Sequence, residues 1–202
     1  MIDRHALPVL ARVLEWPARR LAARGVPAVA VTLVGFGFGV LAAALIAYSA
    51  FIAGLLAFTI NRTCDGLDGL VARRQGPTDR GAFLDIAADF LVYAAIPFGF
   101  ALADPGQNAL PAAALLLAFM GTASSFLAFA VIAGKRGLES TAYPTKGFYY
   151  LGGLTEGAET FLCFVAMCLW PALFPVFAWV FAGLCAVTTA TRWVAGMRMF
   201  SA

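Results

Sequence analysis

The chain has 202 residues, of which 62 % are hydrophobic and only 12 % charged, and its formal net charge is +3. A mean hydropathy of +0.86 excludes a water-soluble globule, and a low charge with 20 Gly, 10 Pro and 4 Cys excludes a disordered chain, a long coiled coil and a disulfide framework. The solvent for this chain is lipid.

Residues 3–24 alternate apolar positions (Leu7, Leu10, Val13, Leu14, Leu21) with arginines. That pattern suits a helix lying in the anionic membrane interface, or simply a basic segment that sets topology. From Val26 to Asn61 no residue is charged, too long for one crossing at about 20 residues, so two spans joined near Tyr48-Ser49 are expected. Gly35, Gly37 and Gly39 in the first span read as close helix packing, since no strand precedes them to make a nucleotide loop. A third span is expected over Gly81–Ala103, a polar turn over Asp104–Asn108, then spans at Leu110–Gly134, Phe148–Leu169 and Pro175–Arg192.

The expected architecture is therefore all-α: residues 1–25 form a cytoplasmic juxtamembrane amphipathic segment, and 26–202 a polytopic bundle of six transmembrane helices. Its basic residues support an even number of spans. Arg4, Arg12, Arg19, Arg20 and Arg24 precede the first; Arg62, Arg73, Arg74 and Arg80 lie between the second and third; Lys135, Arg136 and Lys146 lie between the fourth and fifth; Arg192 and Arg198 come last. The opposite turns carry none, which places both termini in the cytoplasm. No apolar core precedes Val26, so the first span reads as an anchor rather than a cleaved signal. Cys64, Cys163, Cys168 and Cys185 make no Cys-x-x-Cys pair, and His5 stands alone, so neither type suggests a metal or redox site.

Chemistry concentrates in Asp65-Gly66-Leu67-Asp68-Gly69-Leu70-Val71-Ala72-Arg73 and Gly81-Ala82-Phe83-Leu84-Asp85-Ile86-Ala87-Ala88-Asp89. A carboxylate within a membrane helix costs about 2.5 kcal/mol or more unless it is paired, wet or metal-bound. Asp65 and Asp68 are three apart, and Gly81, Asp85 and Asp89 are spaced by four, so each set shares a helix face. Counted from the outer turn, Asp65 lies about 22 Å inward at 1.5 Å per residue, in the cytoplasmic half of a core of about 30 Å. Asp85 and Asp89 enter from the same side to a matching depth. Four hard oxygen donors with no imidazole or thiolate beside them suit a divalent cation such as Mg²⁺. The alternative is that the aspartates merely pair with Arg62, Arg73, Arg74 and Arg80 at the helix ends.

The run resembles the signature of the CDP-alcohol phosphotransferase family, D-x2-D-G-x2-A-R, a spacer, then G-x3-D-x3-D. Asp65, Asp68, Gly69, Ala72, Arg73, Gly81, Asp85 and Asp89 meet its eight fixed letters. The resemblance implies a six-helix fold facing the cytoplasm in a bacterial-type inner membrane, and a homodimer. It implies that Asp65, Asp68, Asp85 and Asp89 hold two divalent ions, Mg²⁺ or Mn²⁺, with Asp89 as the base that activates the acceptor. It also implies that Gly69, Ala72, Arg73, Thr78 and Gly81 surround a cytidine nucleotide. The reaction implied moves a phosphatidyl group from CDP-diacylglycerol to a small alcohol with release of CMP, and no nucleic-acid partner is expected.

Three positions depart from the pattern. The spacer from Arg73 to Gly81 holds seven residues rather than eight, Pro27-Ala28 replaces a common Pro-Asn, and Phe90 follows the last aspartate where members with phosphorylated acceptors often have Lys or Arg. Phe90 favours an unphosphorylated acceptor, although Lys135, Arg136 and Lys146 offer another phosphate site. In the fifth span Glu156 and Glu159, counted from Lys146, are expected roughly 15 to 20 Å deep. They would bind a cationic acceptor, or serve a structural role with Thr155 and Thr160 or with arginines. Intramembrane carboxylates also serve proton-coupled transporters, but those sit near the midplane between internal repeats. Here the aspartates lie near one surface and the two halves show no repeat.

Overall fold

The computed structural model describes residues 3–137 and 154–201, with side chains from residue 10 onward. Among these residues there are seven α-helices, one 3-10 turn and no strand. They are α1 (Asp3–Ala23), α2 (Ala28–Ala47), α3 (Phe51–Gln75), α4 (Asp79–Ala103), α5 (Pro105–Lys135), α6 (Gly157–Leu169) and α7 (Phe174–Phe200), the 3-10 turn being Pro171–Leu173.

The breaks follow local chemistry. Pro27 starts α2, and the α2–α3 turn falls at Ser49, which takes a positive φ of 61°. Gly76, at φ 93°, ends α3 in a conformation that side chains avoid. Thr78 then caps α4 by accepting the Gly81 N–H at 3.2 Å. Asp104 caps α5 by accepting from the Gln107 N–H at 3.1 Å, and Pro105 takes the first helical position.

Three expected boundaries are corrected. The polar turn over Asp104–Asn108 shrinks to Asp104 alone, because an N-cap followed by Pro lets Gly106, Gln107 and Asn108 enter the first turn of α5. The last helix runs on through Phe200 rather than stopping at Arg192. The fifth span does not run unbroken from Phe148: residues 138–153 lie outside the described residues, Leu154 and Thr155 are not helical, and α6 begins at Gly157. A depth for Glu156 counted along a continuous helix from Lys146 therefore does not hold.

Among the described residues, four segments are long and apolar enough to cross a membrane: α2, α4, α5 and Pro171–Phe200. The other two expected spans differ in kind. Helix α3 has 25 residues but carries Asn61, Arg62, Thr63, Asp65 and Asp68 from its middle onward. Helix α6 has 13 residues, about 20 Å of helix against a hydrocarbon core of about 30 Å.

Helix α2 packs on both α3 and α4, α5 packs on α4 and α7, and α6 rests on α3 and α7. Aromatic side chains fill the centre. Phe100 stacks on Phe174 with centroids 4.5 Å apart, and Phe164 meets Phe58 edge-on at 5.4 Å. Small residues set the close approaches: a Cβ on Gly99 would stand 2.6 Å from the Ala43 carbonyl oxygen, and one on Gly35 2.7 Å from Cys64 Cβ. Gly35 and Gly39 thus fulfil the packing expectation, whereas Gly37 faces open space. Helix α1 lies against α3, where Leu14 and Ala18 bury with Leu70 and Val71, and Glu15 pairs with Arg74. Val13 and Trp16 are exposed.

Candidate active site

Three helices build one narrow polar cavity, of about 10 Å³, lined by Thr32, Gly35 and Phe36 of α2, Asn61, Arg62, Asp65 and Asp68 of α3, and Asp85, Ala88 and Asp89 of α4. The four signature aspartates therefore line the same cavity. Each pair shares a face for the helical reason given above, but their convergence needs α3 and α4 to turn those faces toward one another across α2. Gly35 permits the approach of α3, whose Asn61 donates from Nδ2 to the Gly35 carbonyl at 2.8 Å.

Each carboxylate has its own surroundings. Asp68 is buried, and one oxygen accepts the Thr32 hydroxyl at 2.6 Å. Asp89 Oδ1 lies 2.5 Å from Arg62 Nη2, and Asp65 Oδ2 lies 3.7 Å from Arg62 Nη1. Arg62 is held in turn by Asn61 Oδ1, which accepts from its Nε at 2.8 Å, and by the Tyr93 hydroxyl, which accepts from its Nη1 at 3.0 Å. Its guanidinium lies 4.9 Å from the Tyr93 ring centroid. The ion-pair alternative is thus realised for Arg62 but not for Arg74, whose partner is Glu15.

The lining offers only oxygen donors with an excess of negative charge, and neither imidazole nor thiolate. That donor chemistry fits a hard divalent cation. As placed, no three Asp, Glu, His or Cys side chains among the described residues stand close enough to share an ion. Thr32 ties Asp68 toward α2, and Arg62 bridges Asp65 and Asp89.

The other expected site residues lie outside the cavity lining. Gly69 and Ala72 follow Asp68 along α3, and Arg73 folds back so that its Nη1 lies 3.5 Å from where a Gly69 Cβ would stand. Thr78 and Gly81 form the capped start of α4, so Thr78 has a structural contact of its own. Lys146 lies outside the described residues. Arg136 donates to the Phe200 carbonyl at 3.0 Å. Glu156 is the N-cap of α6 and forms a capping box with Glu159, whose carboxylate accepts the Glu156 N–H at 3.2 Å. Thr160 donates to the Glu156 carbonyl at 2.8 Å, and Thr155 to Thr188 at 3.0 Å.

Sequence reasoning overlooked Thr32, Asn61 and Tyr93, and gave Arg62 no part beyond a helix-end ion pair. The signal for two of them was present: Arg62 precedes Asp65 by three residues and Tyr93 follows Asp89 by four, so both lie on the carboxylate faces.

Fold and cavity define an integral membrane protein with an acidic, oxygen-rich site built from three helices. The sequence pattern of the CDP-alcohol phosphatidyltransferase family matches residues 25–197, and the chain belongs to that family. It is 52 % identical over 192 residues to the inner membrane protein YnjF of Escherichia coli (strain K12), covering 95 % of this chain and 93 % of that one. It is 35 % identical over 165 residues to a phosphatidylinositol phosphate synthase of Streptomyces avermitilis, covering 79 % of this chain and 63 % of that one. Its fold is similar to that of the Mycobacterium tuberculosis phosphatidylinositol phosphate synthase PgsA1 crystallised with CDP-DAG bound, with a TM-score of 0.68, 22 % identity and coverage of 92 % of this chain and 94 % of that one. The same enzyme in complex with manganese and citrate also gives a TM-score of 0.68, at 23 % identity, covering 89 % and 86 %. The chain is accordingly an enzyme of the CDP-alcohol phosphotransferase class, a membrane transferase of phospholipid biosynthesis. The family assignment favours the enzyme over the transporter alternative.

Proposed function

We propose that this enzyme transfers a phosphatidyl group from CDP-diacylglycerol to a small alcohol and releases CMP. The observation that carries the reading is the convergence of Asp65, Asp68, Asp85 and Asp89 on one cavity. Support for the lipid donor comes from the shared fold of a synthase crystallised with CDP-DAG, and support for the metal from the same synthase in complex with manganese.

The four aspartates would hold two Mg²⁺ or Mn²⁺ ions, which when bound neutralise charge on the donor pyrophosphate. Gly69, Ala72 and Gly81 leave the backbone approachable for the cytidine nucleotide, with Arg73 and Thr78 as its polar neighbours. Asp89 takes the proton of the acceptor hydroxyl. The acceptor oxygen bonds to the lipid-linked phosphorus, the bond from that phosphorus to the bridging oxygen breaks, and CMP leaves with the electron pair. The test incubates purified protein with CDP-diacylglycerol, Mg²⁺ or Mn²⁺ and a panel of alcohols, and follows CMP release. No CMP above the EDTA control with any acceptor overturns the reading.

For the acceptor, Phe90 beside Asp89 favours an unphosphorylated alcohol. A phosphorylated one is the second reading, favoured by the likeness to a phosphatidylinositol phosphate synthase, with Lys135, Arg136 or Lys146 as phosphate partners. Glu156 and Glu159 remain candidates for a cationic acceptor only if their capping contacts leave a carboxylate oxygen for it.

In the membrane, α2 to α7 make six crossings, α3 spanning because its polar residues face the cavity. Both termini and the cavity face the cytoplasm, a reading supported by the charge asymmetry, and the membrane is an inner one, as named for the Escherichia coli relative. Helix α1 lies along that surface with Val13 and Trp16 toward lipid, and two copies of the chain associate as a homodimer.

A further inference from the structure

We propose that Arg62 is a tethered counter-cation of the active site, which holds the carboxylates of α3 and α4 together and keeps divalent-metal affinity low enough for exchange. This rests on the metal reading above and goes beyond it. Of the ten described residues lining the cavity, four are carboxylates and one, Arg62, is a cation. An arginine there is not forced by the helix end, because α3 continues for thirteen residues beyond it, to Gln75.

The side chain is fixed rather than opportunistic. Asn61 receives its Nε, the Tyr93 hydroxyl receives Nη1, and Phe58 and Tyr93 present their rings at 5.7 and 4.9 Å. Asn61 is itself anchored on the Gly35 carbonyl of α2. A guanidinium held by these neighbours cannot swing away at little cost, and its planar fork reaches Asp89 of α4 and Asp65 of α3 together. Two consequences follow from Coulomb's law. The fixed positive charge offsets repulsion among the four carboxylates, and it opposes any divalent cation placed among them.

The experiment compares wild type, Arg62→Gln, Arg62→Lys and Asp68→Asn, purified in Mn²⁺ so that each variant folds, then exchanged into EDTA. Mn²⁺ affinity is read by electron paramagnetic resonance of the free ion, and thermal midpoints are taken with and without Mn²⁺. Arg62→Gln is expected to bind Mn²⁺ about tenfold more tightly or better, to melt earlier than wild type in EDTA, and to regain more from Mn²⁺. Arg62→Lys keeps the charge and is expected to stay within about threefold of wild-type affinity. Loss of the Gln variant's fold in EDTA, with rescue by Mn²⁺ or in the Lys variant, supports the counter-cation role. Unchanged or weaker Mn²⁺ binding by Arg62→Gln, with wild-type binding intact and lost in Asp68→Asn, overturns the role of Arg62 alone. Absence of Asp68-dependent Mn²⁺ binding in wild type overturns the metal reading and this inference with it.

Discussion

Arg62 Nη2 lies 2.5 Å from Asp89 Oδ1, and this contact ties the middle of α3 to the last carboxylate of the signature on α4. The residue expected to act as base therefore has one oxygen committed to a fixed guanidinium. Replacing the Asp89 carboxylate by an amide should fall on chemistry rather than on donor binding.

Asp89→Asn is expected to lower kcat by about 10² to 10⁴, the usual range for a positioned base, while CDP-diacylglycerol KM changes little. Steady-state CMP release over a range of donor concentrations measures both. Near-normal kcat removes Asp89 from the role of base.

Thr32 contributes a hydroxyl at 2.6 Å to buried Asp68. Its loss leaves that oxygen without the donor, so Thr32→Val should destabilise the protein by about 1.5 to 3 kcal/mol, the range for a hydrogen bond to a charged group. Ser in place of Thr keeps the hydroxyl and should recover most of this. Thermal unfolding in one detergent compares the three proteins, and equal midpoints for Val and wild type would show that the bond contributes nothing.

Gly35 and Gly37 make an internal control. A Cβ at Gly35 meets Cys64 Cβ at 2.7 Å, whereas none of the atoms around Gly37 comes within 4 Å. Gly35→Ala should cost about 1 to 3 kcal/mol by overpacking and depress activity by moving α2 from α3, while Gly37→Ala stays near wild type. The ratio of the two unfolding midpoint shifts decides it; equal shifts would mean that the α2–α3 contact yields freely.

Glu159→Gln separates the two roles of the α6 pair, since glutamine also closes a capping box. The variant is expected to keep its melting temperature, and acceptor KM should stay within about twofold, because the capping contacts already account for the pair. A fivefold or larger rise in KM confined to cationic alcohols would assign the carboxylate to the acceptor.

The helical period is a local property, and so the sharing of faces by Asp65 with Asp68 and by Asp85 with Asp89 is legible in the spacing alone. The same holds for the turn at Tyr48-Ser49 and the one-sided distribution of basic residues, because backbone conformation and transfer of charge into lipid depend on near neighbours. Tertiary structure decided which faces meet. Thr32 and Gly35 are 36 and 26 residues from Asp68 and Asn61, the partners they meet at the cavity, and no local pattern marks a lone threonine in an apolar helix as a carboxylate's donor. Arg62 reads from spacing as the (i, i+3) partner of Asp65, yet its closer contact is Asp89, 27 residues on, because α3 and α4 both pack on α2 and turn these residues into one cavity. Glu156 shows the opposite limit. Its depth was counted along an assumed continuous helix, and a carboxylate that caps a helix start satisfies the same polar requirement without one.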